Sequence, residues 1–224
     1  MRYSKNGIFS DKDMNILRNN KVCIVGSGGL GGYILEMLTR VGIGSITIID
    51  GDVFDETNLN RQILATSDSI NRVKVEVARE RMKQVNPEVK VVGIEIFLNE
   101  DNVSTLIQGH DLVVDSLDSI DARITLEKAC ETMGIPLVHG AIAGWYGQVT
   151  TIFPGDRTLT TIYKTKTGKG VEKKIGNPSF TPACIASFQV SEVLKVLLGL
   201  GEILRKKLLM IDLLDNETFV LDID

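Results

Sequence analysis

Between residues 21 and 139, short apolar runs alternate with longer stretches whose apolar residues recur at helical spacing, and this alternation leaves few folds open to the chain. Val22 to Val25 reads as a buried strand, 29–41 as a helix, and Ser45-Ile46-Thr47-Ile48-Ile49-Asp50 as a second strand. Across 70–86, Val73, Val77, Ala78, Met82 and Val85 share a helical face, and Pro87 stops that helix. Val89 to Phe97 is β-rich, Leu112 to Asp115 is a short buried strand, 121–133 is a further helix, and Pro136 to His139 a further strand. Such a rhythm predicts parallel strands joined by crossover helices.

After residue 140 the rhythm changes. Gly147 to Phe153 reads as a strand outside the repeating pattern, antiparallel to its neighbours, and 154–180 is polar, rich in Gly, Thr and Lys, without periodicity. A long amphipathic helix follows from about Ala183 to Leu198, ending at Gly199. Lys207 to Leu213 and Thr218 to Ile223 form a hairpin across Asp215-Asn216. The expectation is an α/β protein: a Rossmann-like, doubly wound, mostly parallel sheet with helices on both faces, extended by C-terminal antiparallel strands. It reads as a single domain over 1–224, with no internal repeat.

Composition removes other classes. No uninterrupted apolar run approaches the ~20 residues a helix needs to cross a bilayer, and the N-terminus leads into polar residues rather than an apolar leader, so a cytoplasmic protein is expected. A net charge of −4 argues against non-specific nucleic-acid binding. The three cysteines, Cys23, Cys130 and Cys184, lie far apart with no Cys-x-x-Cys pair, so no zinc is expected. Cys23 and Cys130 fit as small buried hydrophobes. With only His110 and His139, histidine-based triads have little material.

Candidate chemistry begins at "VGSGGLGG", residues 25–32, between the first strand and its helix. A glycine loop there cradles phosphate. Gly26-x-Gly28-x-x-Gly31 with Asp50 downstream also matches the dinucleotide fingerprint, so a redox cofactor and a triphosphate both remain open. The following segment, Asp50 to Gln62, adds Asp52, Asn58 and Arg61, and Lys74 opens the next helix. Arg61 and Lys74 are either surface charges or cations that neutralise a polyphosphate and its leaving group. Asp118, past the strand Leu112 to Asp115, sits where a carboxylate holds Mg²⁺ on a triphosphate, while Ser119 or Asp121 suits a helix N-cap.

Together, "GSGGLGG", "IIDGDVFDETNLNRQ", "RVKVEVA" and "DSLDSIDAR" resemble the ThiF/MoeB/HesA family, relatives of the ubiquitin-activating enzymes, and the resemblance resumes in "PLVHGAIAGWYGQV" and "SFQVSEVLK". It implies an ATP-dependent adenylyltransferase. ATP·Mg²⁺ and the C-terminal Gly-Gly tail of a small ubiquitin-like sulfur-carrier protein react to give an acyl-adenylate and pyrophosphate. The resemblance implies that Gly26, Gly28, Gly29 and Gly31 admit the nucleotide and that Asp50 takes the ribose hydroxyls with Asp52 close by. It also implies that Asn58, Arg61, Gln62 and Lys74 bind ATP, with Arg61, Lys74 and Asp118 catalytic and Asp118 on Mg²⁺. It further implies a homodimer and a separate sulfur donor.

Three departures stand out. Where many relatives have Arg-Tyr-x-Arg-Gln, whose second arginine reaches into the partner subunit, this chain has Arg2-Tyr3-Ser4-Lys5-Asn6, and lysine lacks the planar fork. The two Cys-x-x-Cys pairs of bacterial relatives are missing. The crossover-type loop, about 154–180, has no cysteine; Cys184 lies just beyond it, as a packing residue or a site of sulfur chemistry. That loop carries Arg157, Lys164, Lys166, Lys169, Lys173 and Lys174, which either steer an acidic carrier or form a solvated face. Trp145 and Tyr146 either pack or contact the carrier tail. The alternatives are a tRNA-modifying dehydratase or small-molecule adenylating enzyme of the same fold, a non-catalytic ATP-binding subunit of a heterodimer, and a nicotinamide oxidoreductase.

Overall fold

The computed structural model describes residues 2–163 and 175–223. Its strands are β1 Lys21–Val25, β2 Ser45–Ile49, β3 Lys90–Ile94, β4 Leu112–Asp115, β5 Leu137–Ala143, β6 Tyr146–Ile152, β7 Lys207–Asp212 and β8 Glu217–Asp222. They form an eight-stranded sheet in the order β3-β2-β1-β4-β5-β6-β7-β8. The first five are parallel; β6, β7 and β8 add on antiparallel. This is the doubly wound sheet with an antiparallel C-terminal extension that the alternation predicts.

The helices are α1 Asp11–Asn19, α2 Gly29–Val41, α3 Lys74–Val85, α4 Val103–Ile107, α5 Ile120–Met133, α6 Thr158–Ile162 and α7 Phe180–Leu198. Two cores separate the faces. Val22, Ile24, Ile46 and Ile48 point to the side covered by α1, α2, α3 and α7, whereas Cys23, Val25 and Val113 point to α4, α5 and α6. Successive strand residues thus alternate between two buried faces, which is why these strands read as continuous apolar runs.

The structure holds elements that the periodicity does not announce. In α1, Ser10 caps Asp13 N–H while the Asp13 carboxylate accepts from Ser10 N–H, and Met14 and Leu17 are buried. The five-residue α4 and α6 are too short to show a period. α6 interrupts the stretch expected to lack structure, because the Glu127 carboxylate on α5 accepts from Leu159 N (2.5 Å), Thr160 N (2.9 Å) and Thr160 Oγ1 (2.7 Å). Its cap is therefore supplied from 32 residues away.

Several boundaries shift: β5 runs on to Ala143, β3 ends at Ile94, and two helices start elsewhere than expected. Residues 70–73 are not helical: Phe54 N donates to Arg72 O, Asn71 N to Phe54 O, and Val53 bridges Val73 antiparallel, so α3 starts at Lys74. α7 begins at Phe180, three residues earlier than the amphipathic pattern suggests, with Thr181 Oγ1 donating to Gly144 O at 2.6 Å. At 19 residues α7 is long and apolar enough, by length and composition, to cross a membrane, which the absence of an uninterrupted apolar run had argued against. In this fold it packs against α2, β5 and β6 and buries Ile185, Ala186, Gln189, Val190, Glu192 and Val193.

Candidate active site

The strand order reverses around β1, between β2 and β4, and a cavity of about 530 Å³ opens at the carboxyl ends of these strands. Ligands of open α/β sheets bind in this crevice because the crossovers on either side diverge there. Three segments supply much of its lining: the glycine loop after β1, the loop from Asp50 to Gln62 after β2, and Ser116 to Asp118 after β4.

The glycine loop is clamped by its neighbours. Gly26 N donates to Ile49 O at 2.8 Å, Ser27 N to Asp50 Oδ2 at 2.6 Å, and Ser116 Oγ to the carbonyls of Val25 and Gly26 at 2.9 and 2.8 Å. Gly26 has φ +98°, and a Cβ there would lie 2.6 Å from Ser116 O. Gly31 does not line the cavity; a Cβ on it would overlap the Gly26 carbonyl oxygen, so its role is to let α2 sit on the loop. Gly28 and Gly29 do line the cavity, and a Cβ on Gly28 would meet no atom closer than Gln62 Nε2 at 3.8 Å. Gly28 caps α2 without a side-chain bond, leaving first-turn amides for an anion.

Asp50 faces this loop from β2, half-buried, its second oxygen accepting from Asp52 N at 2.9 Å. Each carboxylate oxygen keeps acceptor capacity for a hydroxyl. Lys74, which opens α3, places Nζ 3.0 Å from Asp52 Oδ2; the lysine side chain is 7% exposed, the aspartate 54%. The phenyl ring of Phe54 lies 6.0 Å from the ammonium.

The turn Glu56–Asn58 is capped by Asp55, whose carboxylate accepts from Thr57 Oγ1 and from Thr57 N–H; the hydroxyl bond above all holds its carboxyl below the usual range. Asn58 and Gln62 are buried and line the cavity. Gln62 Oε1 has no hydrogen-bond partner among the described residues. A buried amide oxygen left unpaired is costly and marks a place for a ligand donor. Arg61 is half-buried, with Nη1 donating to Thr57 O at 2.8 Å and Asn60 Oδ1 at 2.9 Å.

Asp118 is exposed at the cavity edge, just before the Ser119 cap of α5, where Ser119 Oγ accepts from Ala122 N at 3.5 Å. The structure thus brings the candidate residues other than Gly31 to one cavity. It adds several that motif reading passes over: an apolar wall of Ile96, Phe97, Leu98 and Leu117, the buried Arg123, and Asn177, whose carbonyl accepts from Asn60 Nδ2 at 3.3 Å. Phe97 and Asn177 converge from distant loops, which no spacing rule reveals. Arg123 had a signal, five residues past Asp118 on the buried side of α5.

Elsewhere, Lys5 is exposed and does not line the cavity of its own chain. Trp145 packs on Phe180, ring centroids 4.6 Å apart. Burial pushes the Cys23 thiol up to about 12 and raises those of Cys130 and Cys184. Arg157 pairs with Glu131 at 3.0 Å, while Lys164, Lys166, Lys169, Lys173 and Lys174 lie outside the described residues.

Fold and cavity together define an α/β nucleotide-binding enzyme. The chain matches the ThiF family over residues 3–223 and belongs to it, as an ATP-dependent adenylyltransferase. It is 33% identical over 220 residues to the SAMP-activating enzyme E1 of Haloferax volcanii, covering 96% of this chain and 82% of that one. The sulfur carrier protein adenylyltransferase of Thermus thermophilus is 32% identical over 208 residues (89% and 77% covered). The tRNA threonylcarbamoyladenosine dehydratase of Escherichia coli is 38% identical over 143 residues (63% and 53%). In fold, the chain superposes on Escherichia coli MccB crystallised with ATP at a TM-score of 0.85, with 22% identity, over 99% of this chain and 71% of that one.

Proposed function

We propose that the chain activates the C-terminal Gly-Gly carboxylate of a small ubiquitin-like sulfur-carrier protein as an acyl-adenylate, for sulfur transfer from a separate donor, and that it acts as a homodimer. The observation that carries this reading is Lys74: an ammonium 7% exposed, at the cavity edge, paired to a half-exposed carboxylate that a phosphate can replace. Two anions must meet in this reaction, and only fixed cations remove their repulsion.

In this reading the glycine-loop amides and the α2 N-terminus receive the phosphates, Asp50 the ribose hydroxyls, and Gln62 Oε1 a donor from the nucleotide. The apolar wall around Phe97 and Leu98 takes the base. A carboxylate oxygen of the carrier tail attacks the α-phosphorus. The bond from that phosphorus to the oxygen bridging the β-phosphate breaks, and pyrophosphate leaves with the electron pair. Lys74, Arg61 and Asn58 hold the phosphates through this displacement.

Asp118 suits Mg²⁺. Among the described residues no three His, Cys, Asp or Glu side chains form a metal-holding group, and Mg²⁺ is commonly held by one or two carboxylates together with substrate phosphates. When bound it would supply charge neutralisation on the phosphates. The names of the Haloferax and Thermus relatives support a carrier-protein substrate. The dehydratase relative supports a second reading, a tRNA base as acceptor.

Intact-mass measurement separates the two. After incubation with ATP, Mg²⁺ and a carrier ending in Gly-Gly, the reading expects a carrier heavier by one adenylyl group, that is, AMP less water. An unmodified carrier, with AMP released only when tRNA is present, favours the dehydratase.

A further inference from the structure

The two peptide units that lead into Asp118 are each held at one end. Leu117 N donates to Asp115 Oδ1 at 2.9 Å, and the Leu117 carbonyl accepts two bonds from Arg123, from Nε at 3.1 Å and Nη2 at 2.6 Å. That carbonyl shares a plane with the Asp118 amide, because the peptide bond does not rotate. Fixing it therefore fixes the peptide plane on which Asp118 is mounted and so narrows the positions its carboxylate can reach.

Arg123 is itself set by a ring of buried and half-buried side chains. Its Nε lies 3.8 Å from Asp115 Oδ2 and its Nη1 3.5 Å from Tyr163 Oη. Gln148 Nε2 donates to Tyr163 Oη at 2.8 Å and lies 3.1 Å from His139 Nε2, while His139 Nδ1 is 2.6 Å from Asp115 Oδ2. The ring closes through Asp115, Arg123, Tyr163, Gln148 and His139. Asp115 and His139 are fully buried, and Arg123 is 6% exposed. A network with its members satisfied is rigid, since each bond constrains the next.

We propose that Arg123 is a positioning residue for Asp118: its guanidinium, held by this ring, sets the Leu117 carbonyl and through that peptide the carboxylate that takes Mg²⁺. The inference rests on the reading of Asp118 as the Mg²⁺ ligand. Because Tyr163 follows α6, the placement of the segment after β6 is also transmitted to the Asp118 loop.

The test is calorimetric binding of α,β-methylene-ATP to the full chain, once with EDTA and once with Mg²⁺, in wild type, Asp118→Asn and Arg123→Lys. Lysine keeps the charge but cannot place two N–H groups on Leu117 O while also reaching Tyr163 and Asp115. Arg123→Lys is expected to lose about tenfold of the affinity gained on adding Mg²⁺, as outer-shell changes at metal sites do, with EDTA binding unaltered. Equal losses with EDTA and Mg²⁺ would mean that Arg123 acts on the phosphates directly, which overturns the proposal. If Asp118→Asn abolishes the Mg²⁺ gain and Arg123→Lys retains it, positioning by Arg123 is wrong and the Asp118 reading stands. If Asp118→Asn keeps the gain, the Asp118 reading falls and the proposal with it. Should Arg123→Lys not fold, Tyr163→Phe takes its place, where a reduced Mg²⁺ gain supports the ring and an unchanged one overturns it.

Discussion

Lys74 Nζ lies 3.0 Å from Asp52 Oδ2, although the two stand 22 positions apart in the chain. The backbone brings them together: Lys74 N donates to Asp52 O at 3.0 Å, directly after the antiparallel bridge of Val53 and Val73. Lys74→Met keeps the apolar stem and removes the ammonium. Adenylylation is expected to fall about 10²–10³-fold, the usual cost of one preorganised charge-stabilising group, with a near-wild-type far-UV spectrum. A loss below threefold in single-turnover kinetics would remove Lys74 from the chemistry.

Gly31 and Gly28 belong to one motif but answer to different constraints. A methyl on Gly31 overlaps the Gly26 carbonyl, so Gly31→Ala is expected to cost about 1–3 kcal/mol by overpacking or more. A methyl on Gly28 meets nothing closer than 3.8 Å and projects into space that the cavity occupies. Gly28→Ala should therefore unfold at the wild-type urea midpoint yet bind ATP more weakly. Equal urea midpoints for the two variants would refute this division.

This contrast shows what the sequence makes legible. Apart from the edge strand β3, the strands of the parallel half are buried on both faces, so their apolar runs announce themselves, and the motif residues cluster because successive strands end at one sheet edge. α6 and the Asp115–His139 pair carry no local signal because they are built by contacts between residues 24 or more positions apart. The onset of α3 was displaced by a backbone bridge that helical spacing does not record. Gly31 belongs to the fingerprint, yet a Cβ there meets the Gly26 carbonyl and the residue does not line the cavity: the fingerprint does not distinguish a glycine that faces the cavity from one that faces the loop.

His139 is fully buried, and burial holds its imidazole below the ordinary value of 6.5, against the opposing pull of Asp115. The unfolded chain therefore binds a proton below about pH 6.5 while the folded chain does not. Stability is complete above that pH and declines as pH falls toward the depressed folded value, by at most about 1.4 kcal/mol per pH unit. His139→Asn should flatten the decline between roughly pH 6.5 and 5 in urea titrations, above the range where most carboxylates titrate. A slope identical to wild type would contradict the neutral assignment.

Cys184 sits in the second turn of α7, half-buried, and burial raises its thiol further above neutral pH. Such a thiol is mostly protonated and a poor nucleophile. Cys184→Ala is expected to form the carrier adenylate at the wild-type rate, with no thioester to the carrier detectable in either protein. A reductant-sensitive or hydroxylamine-sensitive carrier conjugate in wild type, lost in the variant, would assign Cys184 to sulfur chemistry.

The central claim is tested most directly by ATP–pyrophosphate exchange, using the purified chain, Mg²⁺ and a panel of small carriers ending in Gly-Gly. Formation of a reversible acyl-adenylate predicts label from pyrophosphate entering ATP only when a suitable carrier is present, and not when its terminal glycine is removed. Exchange indifferent to every carrier, despite measurable ATP binding, would contradict the account.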